Sequence, residues 1–249
     1  MKGRRTMPVR QILRALLPSP VRRKIKDLLG MPRWLNDDYY PLRKVGTVPD
    51  KHVVFDVGAC EGWFAQCWLE YNPTAEVHCF EPTTSVFREI LTPALSADER
   101  VTLVNAAVGS EKGSLELHEA AFHKPNSFCQ LDENWKLNDE IDFNSSEMVD
   151  VITLADYIQA NNITDIKVMK LDVQGFEIEV LKGLGQYVEN IEYIYVETSI
   201  HSVYKDTPDF RDVFTFLTER GFKLLDIKTT TLGEEWLSEC DLLFKRVEQ

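Results

Sequence analysis

The sequence lacks several features that would assign it to a specialised class of protein. Its five cysteines are an odd number and no two form a C-x-x-C pair, so it predicts neither a disulfide framework nor a zinc site. No uninterrupted apolar run approaches the ~18–20 residues of a membrane-spanning helix. The apolar stretch near the N-terminus is interrupted by Arg14 and closed by Pro18, which makes it a poor signal peptide. These absences favour a cytoplasmic protein.

Basic side chains are scarce outside the N-terminal segment. Residues 1–44 contain twelve Lys and Arg against three Asp, whereas the remainder contains 16 basic and 37 acidic residues. An acidic body argues against nucleic-acid binding, because neutralising phosphates requires a basic surface. The sequence therefore predicts a basic N-terminal arm over residues 1–44, a domain over residues 45–249, and no nucleic-acid partner.

The basic arm contains a short segment with helical periodicity. Val21, Ile25, Leu28 and Leu29 would share one face of a helix, with Arg and Lys side chains around the other. Such a helix either docks on an anionic membrane or packs against the rest of the protein. On the first interpretation the protein is peripheral to the inner membrane face.

From residue 52 the chain alternates between strand and helix patterns. Short apolar, β-branched runs predict core strands at residues 52–57, 76–80, 101–106, 166–171 and 191–196, and two late strands at 222–227 and 241–244. Residues 114–118 alternate like an exposed strand inside a loop-rich insertion that reaches residue 146. The pattern predicts an α/β fold with a Rossmann-like, doubly wound, mostly parallel sheet and an antiparallel edge.

In such a sheet the ligand lies across the carboxyl ends of the strands. The first predicted strand ends in Asp56, and Gly58 and Gly62 follow, which allow a tight turn and a close start of the next helix. The second ends in Glu81 and Pro82, so a carboxylate lies where an adenosine ribose would present two hydroxyls. A turn glycine beside a capping Asp is the purely structural alternative.

The loop after the first strand also discriminates between cofactors. It reads G-A-C-E-G over residues 58–62 and lacks the G-x-G-x-x-G pattern that cradles a pyrophosphate at a helix N-terminus. The carboxylate of Asp56 would also repel a pyrophosphate. The sequence therefore disfavours a nicotinamide-dependent oxidoreductase and suits a cofactor that carries an ammonium and a sulfonium group.

With these motifs together, the chain resembles the FkbM family of S-adenosylmethionine-dependent methyltransferases. The matching segments are residues 56–64 (DVGACEGWF), 80–82 (FEP), 105–109 (NAAVG), 170–177 (KLDVQGFE), 180–183 (VLKG) and 196–197 (VE). Members commonly have Glu at the position of Gln174, so we expect no catalytic role for the Gln174 side chain.

The resemblance implies a class I methyltransferase fold and O-methylation of a hydroxyl on a sugar, glycan, polyketide or similar small acceptor. It implies that the methionine part of S-adenosylmethionine is held by the first loop, the ribose by the end of the second strand, and the adenine beside the third. The predicted cofactor-binding residues are Asp56, Gly58, Ala59, Gly62, Glu81, Pro82, Asn105 and Ala106.

Transfer to an aliphatic hydroxyl needs a general base or a metal, because the hydroxyl is a poor nucleophile until its proton leaves. Asp172 is the first candidate, Glu197 the second and His201 the third. The two carboxylates would also suit Mg²⁺, although either side chain has a structural alternative as a helix cap or loop anchor. Residues 122–128, with Phe at each end, are candidates to cover the cofactor. Trp135 and Tyr204 are candidates to line an acceptor pocket.

A function of a different class stays open from the sequence. A catalytically inactive methyltransferase fold would serve as a scaffold in a glycan-assembly complex. The presence of Asp56, Glu81 and Asp172 favours the enzyme, whose partner would be a small-molecule or glycan acceptor. The sequence predicts neither the acceptor nor the oligomeric state.

Overall fold

A computed structural model describes residues 39–120, 127, 143–200, 207–232 and 236–247. The predicted helix of the basic arm therefore lies outside the described residues. A compact unit runs from Pro41 to Gln249. Pro41 and Leu42 are buried, and Lys44 Nζ lies 3.5 Å from Asp226 Oδ2.

The described residues form ten strands and five α-helical elements. The strands are β1 (His52–Val57), β2 (Ala75–Phe80), β3 (Val101–Val104), β4 (Ala107–Val108), β5 (Gly113–Ala120), β6 (Phe143–Ile152), β7 (Ile166–Leu171), β8 (Ile191–Ser199), β9 (Phe222–Leu232) and β10 (Trp236–Arg246). The helices are α1 (Trp63–Tyr71), α2 (Thr84–Val86, Phe87–Leu91 and Thr92–Leu95 in succession, the middle part a π-helical turn), α3 (Leu154–Ala160), α4 (Glu177–Lys182) and α5 (Phe210–Thr218). Short 3₁₀ turns lie at Tyr40–Lys44 and Gly185–Asn190.

Seven of the strands form one sheet in the order β3-β2-β1-β7-β8-β10-β9. β1 pairs in parallel with β2 and β7, β2 with β3, and β7 with β8, whereas β10 is antiparallel to both β8 and β9. The strand order reverses between β1 and β7, which is the switch point where ligands bind in such sheets. The predicted mostly parallel sheet with an antiparallel edge is confirmed.

Helices cover both faces of this sheet. Phe55 and Val57 of β1 belong to a large core with Leu154 and Ile158 of α3, and the same core includes apolar residues of α4 and α5. Because side chains alternate along a strand, Asp56 points to the opposite face, where the backbone of Ala65 in α1 lies beside it. The sheet is therefore doubly wound, as the sequence predicts.

The third predicted strand is shorter in the structure than in the sequence analysis. β3 ends at Val104, and the side chain of Asn105 turns back to donate to the carbonyls of Glu81 (2.9 Å) and Pro82 (3.1 Å). The next residues, Ala107 and Val108, pair instead with β6. This hydrogen bonding ends the strand and directs the chain into a second sheet.

The second sheet has three strands in the order β4-β6-β5. The predicted exposed strand at residues 114–118 lies within β5, and β6 extends back to Phe143, into the segment that was predicted to be loop. A small core of Ala107, Leu117, Val149 and Val151 holds this sheet together. Glu147 of β6 accepts a hydrogen bond from the backbone N–H of Thr84 (2.6 Å), which attaches the sheet to the start of α2.

Among the residues that the structure describes, no helix has the length and apolar character needed to span a membrane.

A close approach between the first loop and the end of β7 gives a test of the fold at the site. Gly58 has φ +78°, and a Cβ there would lie 1.8 Å from the carbonyl oxygen of Asp172, whereas Gly46 has φ +75° and open space around its Cβ position. We expect Gly46→Ala to lower the free energy of unfolding by about 1–2 kcal/mol through backbone strain alone. Gly58→Ala adds the clash and should lower it by about 3 kcal/mol or more, as measured by urea denaturation. Equal losses in the two variants would contradict the close approach.

Candidate active site

The loop that follows β1 lies over the end of β2. The backbone N–H groups of Gly58 and Ala59 both donate to the carbonyl of Phe80 at 3.0 Å. Gly58 and Gly62 adopt positive φ angles, and so does Cys60 between them. A Cβ on Gly62 would meet Leu95 of α2 at 2.6 Å, so Gly62 allows the loop to pack closely against α2. The loop places no pair of free N–H groups at Gly58 and Ala59 for a pyrophosphate.

Glu81 is fixed by the backbone on either side of it. Its two carboxylate oxygens each accept one N–H, from Cys60 (2.9 Å) and from Thr83 (2.9 Å). The side chain is almost fully buried at 6% exposure, and burial raises its pKa while the two N–H groups act in the opposite direction. The Thr83 side chain also hydrogen-bonds to this carboxylate, so of its about four acceptor positions one is left for a ribose hydroxyl.

The remaining residues of the predicted cofactor set lie around the end of β2. Pro82 is partly exposed, Asn105 is exposed and Ala106 is buried. The Asn105 side chain holds the carbonyls of Glu81 and Pro82, so it stabilises the loop that carries the carboxylate. Their predicted contacts with a cofactor stay predictions.

Asp56 is fully buried (0% exposed) beneath the loop, and Lys170 of β7 is buried beside it. Lys170 Nζ lies 3.3 Å from Asp56 Oδ1, 3.5 Å from Asp172 Oδ2 and 2.6 Å from the carbonyl oxygen of Gly58. Neither Asp56 oxygen forms a hydrogen bond of normal geometry with another described residue, so the charge of Lys170 is its main compensation. Burial raises the pKa of Asp56, and the charge of Lys170 lowers it.

Asp172 follows the end of β7, and Glu197 lies on the neighbouring parallel strand β8. The sequence analysis ended that strand at residue 196, but β8 continues to Ser199 because it pairs there with β10. The Gln174 side chain bridges the two carboxylates, with Nε2 at 2.9 Å from Asp172 Oδ1 and 3.2 Å from Glu197 Oε1. Gln174 has φ +51°, and its carbonyl accepts a hydrogen bond from Ser127 Oγ at 2.7 Å. Two candidate bases are therefore held as one hydrogen-bonded group.

Further carboxylates surround Glu197 from the antiparallel edge. Asp241 of β10 lies opposite Glu197 in the sheet register, and Glu239 lies opposite Ser199. The negative charge of Asp172 is the largest cause that raises the pKa of Glu197 well above its ordinary value, followed by burial and by these two neighbours. Lys228 of β9 pairs with Asp241 at 2.5 Å. Glu197 therefore binds a proton more readily than an isolated Glu does.

The expectation of a Mg²⁺ site finds no support. Within the described part of the chain, no group of three or more His, Cys, Asp or Glu side chains is arranged to hold a metal ion. The amide nitrogen of Gln174 lies between Asp172 and Glu197, the two carboxylates that were expected to bind Mg²⁺. The pair is therefore bridged by a hydrogen-bond donor.

Three site residues were missed or set aside in the sequence analysis. Lys170 interrupts an apolar strand, which was a signal for a buried charge, and Gln174 was expected to have no catalytic role. Glu177, at the start of α4, is buried with its Oε1 accepting the N–H of Gly175 at 3.0 Å. Burial raises the pKa of Glu177 to about 7.

Some predicted residues cannot be located. His201 and the aromatic candidates Phe122, Phe128, Trp135 and Tyr204 lie outside the described residues. The third candidate base and the acceptor pocket therefore stay predictions.

Comparison with known proteins agrees with this geometry. The family model described as "Methyltransferase FkbM domain" matches residues 56–224. 2-O-methyltransferase NoeI of Sinorhizobium fredii is 23% identical over 175 residues, which cover 66% of this chain and 70% of that protein. Methyltransferase 1 of Beauveria bassiana is 25% identical over 191 residues, which cover 72% of this chain and 75% of that protein.

A solved structure shares the fold at low sequence identity. The crystal structure of methyltransferase FkbM from Methylobacillus flagellatus superposes with a TM-score of 0.53 and 12% identity. The match covers 85% of this chain and 48% of that one, so this chain spans about half the length of that protein. The similarity shows that this chain has the class I methyltransferase fold.

The buried ion pair predicts a large and specific loss of stability. Lys170→Met leaves the carboxylate of Asp56 buried without its counter-charge, and we expect the free energy of unfolding at pH 8 to fall by about 3–5 kcal/mol. The double variant Asp56→Asn/Lys170→Met removes both charges and should recover part of this loss. The measurement is a double-mutant cycle by urea denaturation.

Lys167→Met on the same strand is the matched control, since its pairing with Glu192 is partly exposed and is worth about 0–1 kcal/mol. A double variant whose loss of stability equals the sum of the losses in Asp56→Asn and Lys170→Met would show that Asp56 and Lys170 do not interact.

Proposed function

The chain belongs to the FkbM family of methyltransferases, and we propose that it transfers a methyl group from S-adenosylmethionine to a hydroxyl of a sugar, glycan or related small acceptor. The observation that carries this proposal is the bridged Asp172–Glu197 pair next to the Gly58 loop and Glu81. Together these residues supply a base beside the surface where the cofactor would bind.

The charges around the loop support S-adenosylmethionine as the methyl donor. Asp56, Glu81, Asp172 and Glu197 surround the single buried cation Lys170, so the described site is acidic. A ligand with an ammonium and a sulfonium group is attracted to such a site, whereas a diphosphate is repelled. The N–H groups of Gly58 and Ala59 are already donated to Phe80, which also disfavours a nicotinamide dinucleotide.

The acceptor class follows from the base and from a relative. A hydroxyl needs a group that removes its proton as it attacks, and Asp172 is partly exposed at the end of β7. One protein to which this chain is 23% identical is named a 2-O-methyltransferase. Both facts support oxygen as the methylated atom.

The proposed step is a single in-line displacement. The acceptor oxygen forms a bond to the methyl carbon while the carbon–sulfur bond breaks, and the hydroxyl proton passes to the carboxylate of Asp172. The sulfur keeps the bonding electron pair, so the sulfonium becomes the neutral thioether of S-adenosylhomocysteine. The protein contributes by aligning the two reactants at contact distance and by accepting the proton.

The proposal predicts a separation between cofactor binding and turnover. In Asp172→Asn we expect the Kd for S-adenosylhomocysteine, measured by calorimetry, to stay within several-fold of the wild-type value. Methyl transfer should fall by about 10²–10⁴-fold, as followed with methyl-labelled S-adenosylmethionine over a panel of sugars and small alcohols. Asp165→Asn, at an exposed loop position before β7, is the matched control and should leave both unchanged.

Near-normal turnover in Asp172→Asn would remove Asp172 from the role of base. Failure of the folded wild-type protein to bind S-adenosylhomocysteine would instead favour an inactive scaffold, and binding of NAD in its place would contradict the cofactor assignment.

A further inference from the structure

The amide of Gln174 joins the two carboxylates of the site. Its Nε2 lies within hydrogen-bond distance of both Asp172 Oδ1 and Glu197 Oε1. A primary amide nitrogen carries two hydrogens, so one is available for each carboxylate. The oxygens that face Gln174 must then both be acceptors, and any proton on the pair lies on an oxygen that points elsewhere.

We propose that Gln174 is a positioning residue that locks Asp172 and Glu197 into one geometry, with Asp172 as the base of the pair. The catalytic meaning of this inference rests on the proposed methyl transfer. The lock itself is a property of these three side chains and can be tested without an acceptor.

The backbone around Gln174 holds the side chain in place. Gln174 has φ +51°, a conformation that is uncommon outside glycine and strains the backbone by about 1–2 kcal/mol. Ser127, which is fully buried, donates to the Gln174 carbonyl at 2.7 Å. On the other side, the N–H of Gly175 is held by Glu177. These hydrogen bonds hold the strained turn at Gln174 in place. The turn directs the side-chain amide of Gln174 to the carboxylate of Asp172.

The surrounding charges distinguish the two carboxylates. Lys170 Nζ lies 3.5 Å from Asp172 Oδ2, whereas Glu197 has no ion pair with a Lys or Arg among the described residues. Glu197 instead lies among Asp172, Asp241 and Glu239, and the charge of Lys170 opposes them only weakly. Lys228 of the edge strands is paired with Asp241. The ammonium of Lys170 therefore lies beside Asp172, whereas the neighbouring carboxylates raise the pKa of Glu197.

An amide suits this bridge better than a charged group. An ionised third carboxylate would have no hydrogen to donate to Asp172 or Glu197 and would add repulsion, while an ammonium would neutralise Asp172 and weaken it as a base. The neutral amide orders both carboxylates and leaves the charge of Asp172 available to the hydroxyl proton.

The test is the titration of Glu197, followed by ¹³C NMR of the labelled side-chain carboxyl and assigned with Glu197→Gln. Gln174→Met keeps the length of the side chain and removes the donor. Gln174→Asn keeps an amide on a residue that tolerates positive φ but is too short to bridge. In both variants we expect the pKa of Glu197 to rise by about one, since a hydrogen bond to its charged form is lost.

Gln159→Met, at the exposed end of α3, is the matched control and should leave this titration unchanged. S-adenosylhomocysteine binding by calorimetry, expected within about three-fold of wild type in both Gln174 variants, separates the two proposals. An unchanged pKa of Glu197 in Gln174→Met and Gln174→Asn, with binding intact, would overturn the positioning role. Absence of binding in the wild type, with the pKa shift present, would overturn the methyl-transfer proposal and leave the lock.

Discussion

The ammonium group of Lys170 lies among acceptors from two neighbouring strand ends: the Asp56 carboxylate and Gly58 carbonyl of β1 and its loop, and the Asp172 carboxylate after β7. Removing such a cation and Asp56 from water carries a penalty of several kcal/mol per ion, which is offset only when both are present and well positioned. The same contacts set the distance between the first loop and the end of β7. The geometry of the site therefore depends on this buried charge.

The electrostatics of the site follow from having one buried cation among several carboxylates. The charge of Lys170 offsets only part of the burial penalty of Asp56, whose pKa stays raised. Lys170 also lies beside Asp172, but Glu197 receives mainly repulsion. Two carboxylates on adjacent strands thus lie in different electrostatic environments, and the neutral amide of Gln174 orders them. A pair of acids with distinct environments is a common basis for assigning a base and its partner. The acidic balance also suits a cationic methyl donor.

Much of this arrangement could be predicted from the sequence, because the carboxyl ends of parallel strands meet at one edge. That rule predicts that Asp172 lies near Glu197 and that the Gly58 loop lies near Glu81, as the structure shows. The rule did not predict which side chains lie between these groups. In the sequence Lys170 is only one polar residue in an apolar strand, although its ammonium contacts the carbonyl of Gly58, 112 positions away. Gln174 has the pattern of a turn residue. The end of β3 at Val104 and the sheet formed by β4, β5 and β6 depend on the Asn105 side chain and on long-range pairing. Local sequence patterns predict neither this side-chain hydrogen bonding nor this long-range strand pairing.

The central claim is that the ends of β1, β2 and β7 form one methyl-donor site with Asp172 facing the acceptor. A crystal structure of the protein with bound S-adenosylhomocysteine tests it most directly. We expect ribose hydroxyls within hydrogen-bond distance of Glu81, the methionine portion along the Gly58 loop, and the sulfur directed toward the Asp172–Glu197 pair. A ligand whose ribose does not contact Glu81, or whose sulfur is directed away from Asp172, would overturn this assignment of the site.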